Sequence, residues 1–239
     1  MSMKSANQAR DSKNHSAHGE DDPAAKARCE ITLMDQIVQP DRSLIMAHDP
    51  YDPRCEKIRA LRTELILRRE SMERADIIAL VSPGAGEGRS LLAAELALAF
   101  AQTGRPTLLV DADLRRPQQH ILFGTDNRLG LSQAIKYGIK PQLHTVHGLP
   151  RMSVLTAGPV LNNPLELLSS GYFAAMIEEW RDEFEFVVID TAPVMHFSDG
   201  LVIASLVGRV LALSRAQHTR HQDMQDMLRR LATTRSQVL

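Results

Sequence analysis

The sequence predicts an α/β fold built on a doubly wound, mostly parallel sheet. Short apolar runs, "DIIALVS", "PTLLVDAD", "FEFVVIDTAP" and "GRVLALS", alternate with segments of helical periodicity, as successive strand–helix units do. The runs are nearly continuous rather than alternating, the pattern of strands covered by helices on both faces. They end in glycines or acids, "SPGAGEGRS", "DADLRRP" and "DTAPV", at the carboxyl ends of strands, where sites in such sheets lie.

Taken in order, the first residues are rich in Ser, Asn, Asp, Lys and Ala and carry almost no large apolar residue before Ile31. Such a stretch buries too little surface to offset its ordering entropy, so residues 1–42 are expected to be a disordered extension and 43–239 the folded domain. Ile58, Leu61, Leu65 and Met72 then recur at helical spacing from Pro53 to Arg74, an amphipathic helix before the core. The first strand follows at Asp76, a long Ala/Leu helix runs to Gly104, and "PTLLVDAD" is the next strand. "SVLTAG" and "FEFVVIDTAP" read as strands on either side of a helical segment at 163–184, whose Met176, Ile177 and Trp180 form its buried face. "GRVLALS" is one more strand, before a last polar helix from Gln217 to about Thr233.

Bulk properties exclude more than they assign. The 28 Lys and Arg nearly cancel the 29 Asp and Glu, so no global field argues for nucleic acid or an anionic membrane, and no basic-aromatic pattern argues for nucleic acid locally. Cys29 and Cys55 make no CxxC pair, which fits a reducing compartment. No secretory leader and no spanning segment is evident, since the most apolar run is interrupted by Glu95, and the cytoplasm is the expected location.

The chemistry concentrates at three strand ends. Gly84, Gly86 and Gly88 leave room for backbone N–H groups to close on a phosphate, and the helix beginning near Arg89 aims its positive end at the same place. Ser90 offers a hydroxyl to Mg²⁺. A tight, closely packed turn is the alternative reading of the glycines alone. A cation in a first helical turn costs about 0.3–1 kcal/mol against the macrodipole unless an anion reverses the sign, so Arg89 is better explained with phosphate than without. Asp111, Asp113 and Asp190 follow apolar runs and can converge beside Ser90 for metal coordination and activation of a nucleophile; singly, each could instead cap the next helix. The pairs His144/His147 and His218/His221 have a spacing that suits a metal but lack a third ligand, and are expected to be surface or loop histidines.

"SPGAGEGRS", "LLVDADLRRPQQHILF", "NRLGLSQAI", "LTAGPVLNNPLELLSS" and "FEFVVIDTAPV", in that order, resemble the bacterial tyrosine kinases of capsule and exopolysaccharide systems, P-loop NTPases of the MinD type with Walker A, A′ and B segments. The likeness runs from about Asp41 to the C-terminus, and Arg in place of the usual Walker A Lys resembles the chain-length-determinant branch. The resemblance implies an ATP site cradled by Gly84, Gly86, Glu87, Gly88, Arg89, Ser90 and Leu91, with Mg²⁺ managed by Ser90, Asp111 and Asp190 and catalysis by Arg89, Asp111 and Asp113. It implies a homo-oligomer docked through Glu56, Arg59 and Arg62, which otherwise read as a solvated helix face. It also implies a membrane-embedded chain-length determinant, a polysaccharide co-polymerase, as partner, which would hold the chain peripherally at the inner membrane. The family's last strand and Tyr-rich tail are expected to be missing, because the chain stops at "TTRSQVL" and its tyrosines are Tyr51, Tyr137 and Tyr172. Two other readings stay open: an ATP-responsive regulator that phosphorylates nothing, and a positioning ATPase of the MinD/ParA group, against which Gly84 stands where that group has a signature Lys.

Overall fold

The computed structural model describes residues 32–69 and 74–239. Its elements are β1 (Thr32–Val38), α1 (Ile45–His48), α2 (Pro53–Leu67), β2 (Asp76–Val81), α3 (Arg89–Ala101), β3 (Thr107–Asp111), α4 (Gln119–Leu122), α5 (Leu131–Tyr137), β4 (Gln142–Val146), β5 (Leu149–Leu155), α6 (Pro164–Leu168), α7 (Gly171–Glu183), β6 (Phe186–Asp190), α8 (Asp199–Val207), β7 (Arg209–Ala212), α9 (His221–Leu231) and β8 (Gln237–Val238). The strands form one sheet in the order β1-β4-β5-β3-β6-β2-β7-β8. Every pairing is parallel except β4 with β5.

Both faces of the sheet are covered, which is why its strands read as unbroken apolar runs. Along β2, Ile77, Ala79 and Val81 pack into one core with Trp180, Phe173 and Met176 of α7, while Ile78 and Leu80 pack into the other with Leu96 and Phe100 of α3. Phe173 meets Trp180 edge-on at 6.1 Å in the first, and Phe100 stacks on Phe186 at 4.2 Å in the second. All three of the expected α7 core residues are buried. The crossover order puts β3, β6 and β2 side by side, with Asp111 in register with Asp190 and Leu80 in register with Asp190. The three strand ends singled out by the sequence are therefore neighbours in space.

The two ends of the chain differ from expectation. Residues 32–42 fall in the stretch expected to be a disordered extension, yet Thr32–Val38 form β1, which pairs in parallel with β4 at the sheet edge. The polar residues up to 30 dominate the composition of that stretch, while Leu33, Met34, Ile37 and Val38 supply a short apolar strand whose Val38 is buried. Residues 1–31, and with them Cys29, lie outside the described residues. At the other end, "RSQVL" itself holds the two-residue β8, which pairs in parallel with β7 through Gln237 N–H to Gly208 O at 2.8 Å and Leu239 N–H to Val210 O at 2.8 Å. These two bonds occupy the backbone oxygens of Gly208 and Val210 at the β7 edge.

Three smaller differences have local causes. The helix expected to reach Arg74 ends at Leu67, and Met72 falls outside the described residues. The segment 163–184 is two helices, because the Ser170 hydroxyl accepts from Phe173 N–H and starts α7 afresh after α6. His144, expected on the surface, lies in β4 with 1% exposure, where burial holds its imidazole pKa below the ordinary value. Neither of its ring nitrogens has a hydrogen-bond partner, as a neutral imidazole in an apolar strand position implies.

Candidate functional site

The turn between β2 and α3 is shaped by backbone that only glycine adopts easily. Gly86 and Gly88 have φ of 76° and 86°, and Gly88 is the N-cap of α3, with no side chain satisfying the first N–H groups of the helix. This contrasts with α2, where Asp52 caps Arg54 N–H, and with α7. The uncapped first turn of a 13-residue helix, with the positive end of its dipole, opens into a cavity of about 730 Å³. Ala85, Gly86, Glu87, Gly88, Arg89, Ser90 and Leu91 form one wall, and Asp113, Arg115, Pro193 and Phe197 contribute to the others. Of the cradle residues expected from sequence, Gly84 alone does not line it.

Arg89 turns inward. It is only 7% exposed, its guanidinium donates to Ser82 Oγ, and it stands 3.5 Å from Asp113 Oδ2 and 3.5 Å from Asp190 Oδ1. The anion that offsets a cation in this first turn is thus supplied by protein carboxylates, so the position of Arg89 does not by itself require a phosphate. A phosphate-binding role for Arg89 must then rest on the cradle around it.

The three aspartates converge as expected, but with different surroundings. Asp111 accepts from the backbone N–H groups of Asp113 (3.2 Å), Gln118 (3.0 Å) and Gln119 (2.9 Å), so it also plays the capping part weighed as its alternative. Burial first, and then the adjacent Asp190 carboxylate, hold its pKa well above the usual carboxylate range. Asp113 lines the cavity and caps the next turn through Arg115 N–H and Arg116 N–H. Asp190 is fully buried, and burial raises its pKa against the opposing pull of Arg89, the Ser90 hydroxyl and the Gln119 amide. Its Oδ1 has no hydrogen-bond partner, whereas its Oδ2 accepts from Gln119 Nε2 at 2.9 Å. Arg89 is the guanidinium among these carboxylates, while Arg115, paired with Asp199, and exposed Arg116 line the cavity beyond them.

Sequence reasoning missed several contributors. Gln119, buried and polar, reaches Ser90 O, Asp190 and, by its own N–H, Asp111. Arg115 makes a two-pronged contact with buried Asp199, at 2.6 and 3.0 Å, and lies 3.9 Å over the Phe197 ring, which stiffens the far wall. The loop after β7 clasps the glycine turn from behind: Arg215 donates to Gly86 O at 2.9 Å and Thr219 to Glu87 Oε1 at 2.8 Å, with His218 3.2 Å from Ala85 O. The run "DADLRRPQQHILF" contains the first two without marking either; nothing in the polar stretch 214–219 marks it as a clasp, because its contacts are made to a segment about 130 positions away in sequence.

The expected docking residues lie on α2, away from the cavity lining. Glu56 is 74% exposed and pairs with Arg59, which also donates to Pro50 O, and Arg62 donates to Ala99 O of α3 at 3.0 Å. No helix among the described residues is long and apolar enough to cross a membrane.

No protein-family model matches the chain. Among characterised proteins, the tyrosine-protein kinase YwqD of Bacillus subtilis is 32% identical over 200 residues, covering 83% of this chain and 84% of that protein. The structure of the kinase domain of Escherichia coli tyrosine kinase ETK superimposes with a TM-score of 0.76 at 28% identity, covering 82% of this chain and 76% of that one. The septum site-determining protein MinD of Pyrococcus horikoshii, solved with Mg-ADP, superimposes with a TM-score of 0.59 over 69% of this chain, and at 18% identity shares the fold alone.

Proposed function

Because the chain belongs to the bacterial tyrosine kinase family, we propose that it binds ATP with Mg²⁺ in the cavity above the α3 N-terminus and transfers the γ-phosphoryl group to a tyrosine hydroxyl. The observation that carries this reading is the meeting of an uncapped glycine-shaped helix start with Arg89, Ser90 and Asp113 at one 730 Å³ cavity, with buried Asp190 3.5 Å from the Arg89 guanidinium. The phenolic oxygen forms its bond to the γ-phosphorus as the bridge to the β-phosphate breaks, and the phenolic proton passes to a carboxylate. Asp113 is the candidate for that acceptor because it lines the cavity, with Asp111 behind it, its oxygens held by backbone N–H groups.

The donor set fits Mg²⁺. Asp190 Oδ1 is a buried acceptor without a hydrogen-bond partner, and the Ser90 hydroxyl stands against the same carboxylate. Among the described residues no three His, Cys, Asp or Glu side chains group closely enough to hold a metal unaided, so the ion would need phosphate oxygens as further ligands. Ser90 and Asp190 would hold it, with Asp111 adding charge from behind while its own oxygens stay on backbone N–H groups. When bound, Mg²⁺ neutralises charge developing on the phosphate oxygens. Arg89 would share itself between those oxygens and the carboxylates it already touches. The same reading makes the chain a partner of a membrane chain-length determinant in exopolysaccharide synthesis or export, working as a homo-oligomer from the cytoplasmic side.

Calorimetric titration with Mg-ADP, followed by mass spectrometry after incubation with Mg-ATP, tests the core of this. Wild type is expected to bind and to gain phosphotyrosine, on Tyr51 or Tyr137 when no other protein is present, since these are 94% and 61% exposed. Tyr172 is half-buried, and its hydroxyl donates to Ile139 O. Binding that survives Arg89→Ala together with Ser90→Ala would remove the glycine turn from the mechanism.

A further inference from the structure

Gln119 bonds to all three strand-end segments, two of them through its side-chain amide and the third through its backbone N–H. It sits at the start of α4 and is fully buried. Its Nε2 donates to Ser90 O at 3.0 Å, at the first turn of α3, and to Asp190 Oδ2 at 2.9 Å, at the end of β6. Its backbone N–H donates to Asp111 Oδ2 at 2.9 Å, at the end of β3. The amide can point only one way, because both neighbours of Nε2 are acceptors and a flipped oxygen would face them with lone pairs. Its Oε1 is left buried with no hydrogen-bond partner. An unmet buried acceptor costs free energy, so the orientation is held by the two bonds on the nitrogen side.

Those bonds decide which oxygen of Asp190 is available. A carboxylate at a strand end can rotate; with Oδ2 taken by the Gln119 amide, Oδ1 is turned to the side of Arg89 Nε, 3.5 Å away, and has no other partner. We propose that Gln119 is a positioning residue for cation binding: its side-chain amide pins Asp190 to the first turn of α3 so that one carboxylate oxygen stays directed into the site beside Ser90. The inference rests on the Mg-nucleotide reading above. It predicts a role for a neutral amide of this length at position 119, one that a hydrophobic side chain of equal size cannot supply, because groups that orient a metal-binding carboxylate typically contribute 10–100-fold to metal affinity.

The test compares ADP binding with and without Mg²⁺ by calorimetry in wild type, Gln119→Met and Gln119→Asn, with thermal unfolding alongside. Both substitutions keep the backbone N–H that caps Asp111. Met fills the same volume without a donor, and Asn keeps the amide but is one methylene too short to span Ser90 O and Asp190. Metal-free ADP binding should stay within about twofold of wild type, while the strengthening that Mg²⁺ gives should fall by about 10–100-fold in both. In an Asp190→Asn background, Gln119→Met should add almost nothing, since the two act through one contact. Equal Mg²⁺ dependence in wild type and Gln119→Met overturns the proposal, as does an undiminished effect of Gln119→Met in the Asp190→Asn background. Wild type that binds no Mg-ADP at all overturns the nucleotide reading and this inference with it.

Discussion

Replacing Arg89 by Met removes the one guanidinium that touches both Asp113 and Asp190 while nearly keeping its volume. In the native chain the contacts are 3.5 Å each, and all three side chains are at most 7% exposed. Taking one partner out of a buried ion pair costs about 3–5 kcal/mol, because the remaining charge is left uncompensated. Two features pull the value toward the lower limit. The 3.5 Å contacts are longer than tight charge-assisted hydrogen bonds, and Asp190 can take up a proton once the cation is gone. We therefore expect a loss of about 3 kcal/mol, which for a chain of this size lowers the unfolding midpoint by about 6–12 °C. The sole tryptophan, Trp180, is fully buried in the core, so its fluorescence reports the transition directly. Arg89→Lys keeps the charge, and since neither carboxylate is gripped by a planar fork, it should restore more than half of the lost stability. A midpoint within about 2 °C of wild type in Arg89→Met would mean that this guanidinium does not neutralise the aspartates, and the electrostatic account of the site would be wrong.

Two further outcomes follow from residues outside the cavity. Glu95 of α3 accepts from Ile45 N–H at 2.7 Å and Met46 N–H at 3.0 Å, and burial raises its pKa above the ordinary 4.5 more than these bonds lower it. The folded chain therefore holds this proton more tightly than the unfolded one; the stabilisation is complete below 4.5 and is lost as pH rises through the folded value. The stability of wild type relative to Glu95→Gln should fall with rising pH across that window and then stay flat in chemical unfolding, and a difference that is constant or grows contradicts the sign. If Glu56, Arg59 and Arg62 dock on a neighbouring copy, Glu56→Ala with Arg62→Ala should shift the light-scattering mass toward monomer, chiefly at low salt, and unchanged mass with an unchanged unfolding midpoint would return them to a solvated helix face.

What was legible in the sequence was local. "DIIALVS", "LLVDAD" and "FVVIDTAP" announce strands because both faces of each are covered, and "GAGEGRS" announces a helix start that needs positive φ at Gly86 and Gly88. Motif order also located Asp111, Asp113 and Asp190, since strand ends that are adjacent in the sheet bring their last residues together. The edges were not legible. β1 is set in a polar neighbourhood that lowers the local average below what a strand needs to be noticed, and β8 is two residues long. Both are specified by the partner strand that receives them rather than by their own pattern.

The site shows the same division, with a consequence for its chemistry. A residue type that carries charge or a hydroxyl can be proposed from sequence, because its chemistry is intrinsic. A residue whose effect lies in what it holds cannot, and Gln119, Asp199 and Thr219 are of this second kind. Arg89 belongs to both. Its charge was legible and pointed to phosphate, but the structure gives that charge a competing set of anions in Asp113 and Asp190. A phosphate entering the cavity must therefore draw on a cation already committed, and an arriving Mg²⁺ ion would relieve that commitment by taking over the carboxylates. If metal and nucleotide bind as proposed, each would help the other beyond the direct attraction between them, because the ion would free Arg89 for the anion. Such a coupling would have the sign of positive cooperativity and be reciprocal by linkage, so each ligand would strengthen the other by the same factor.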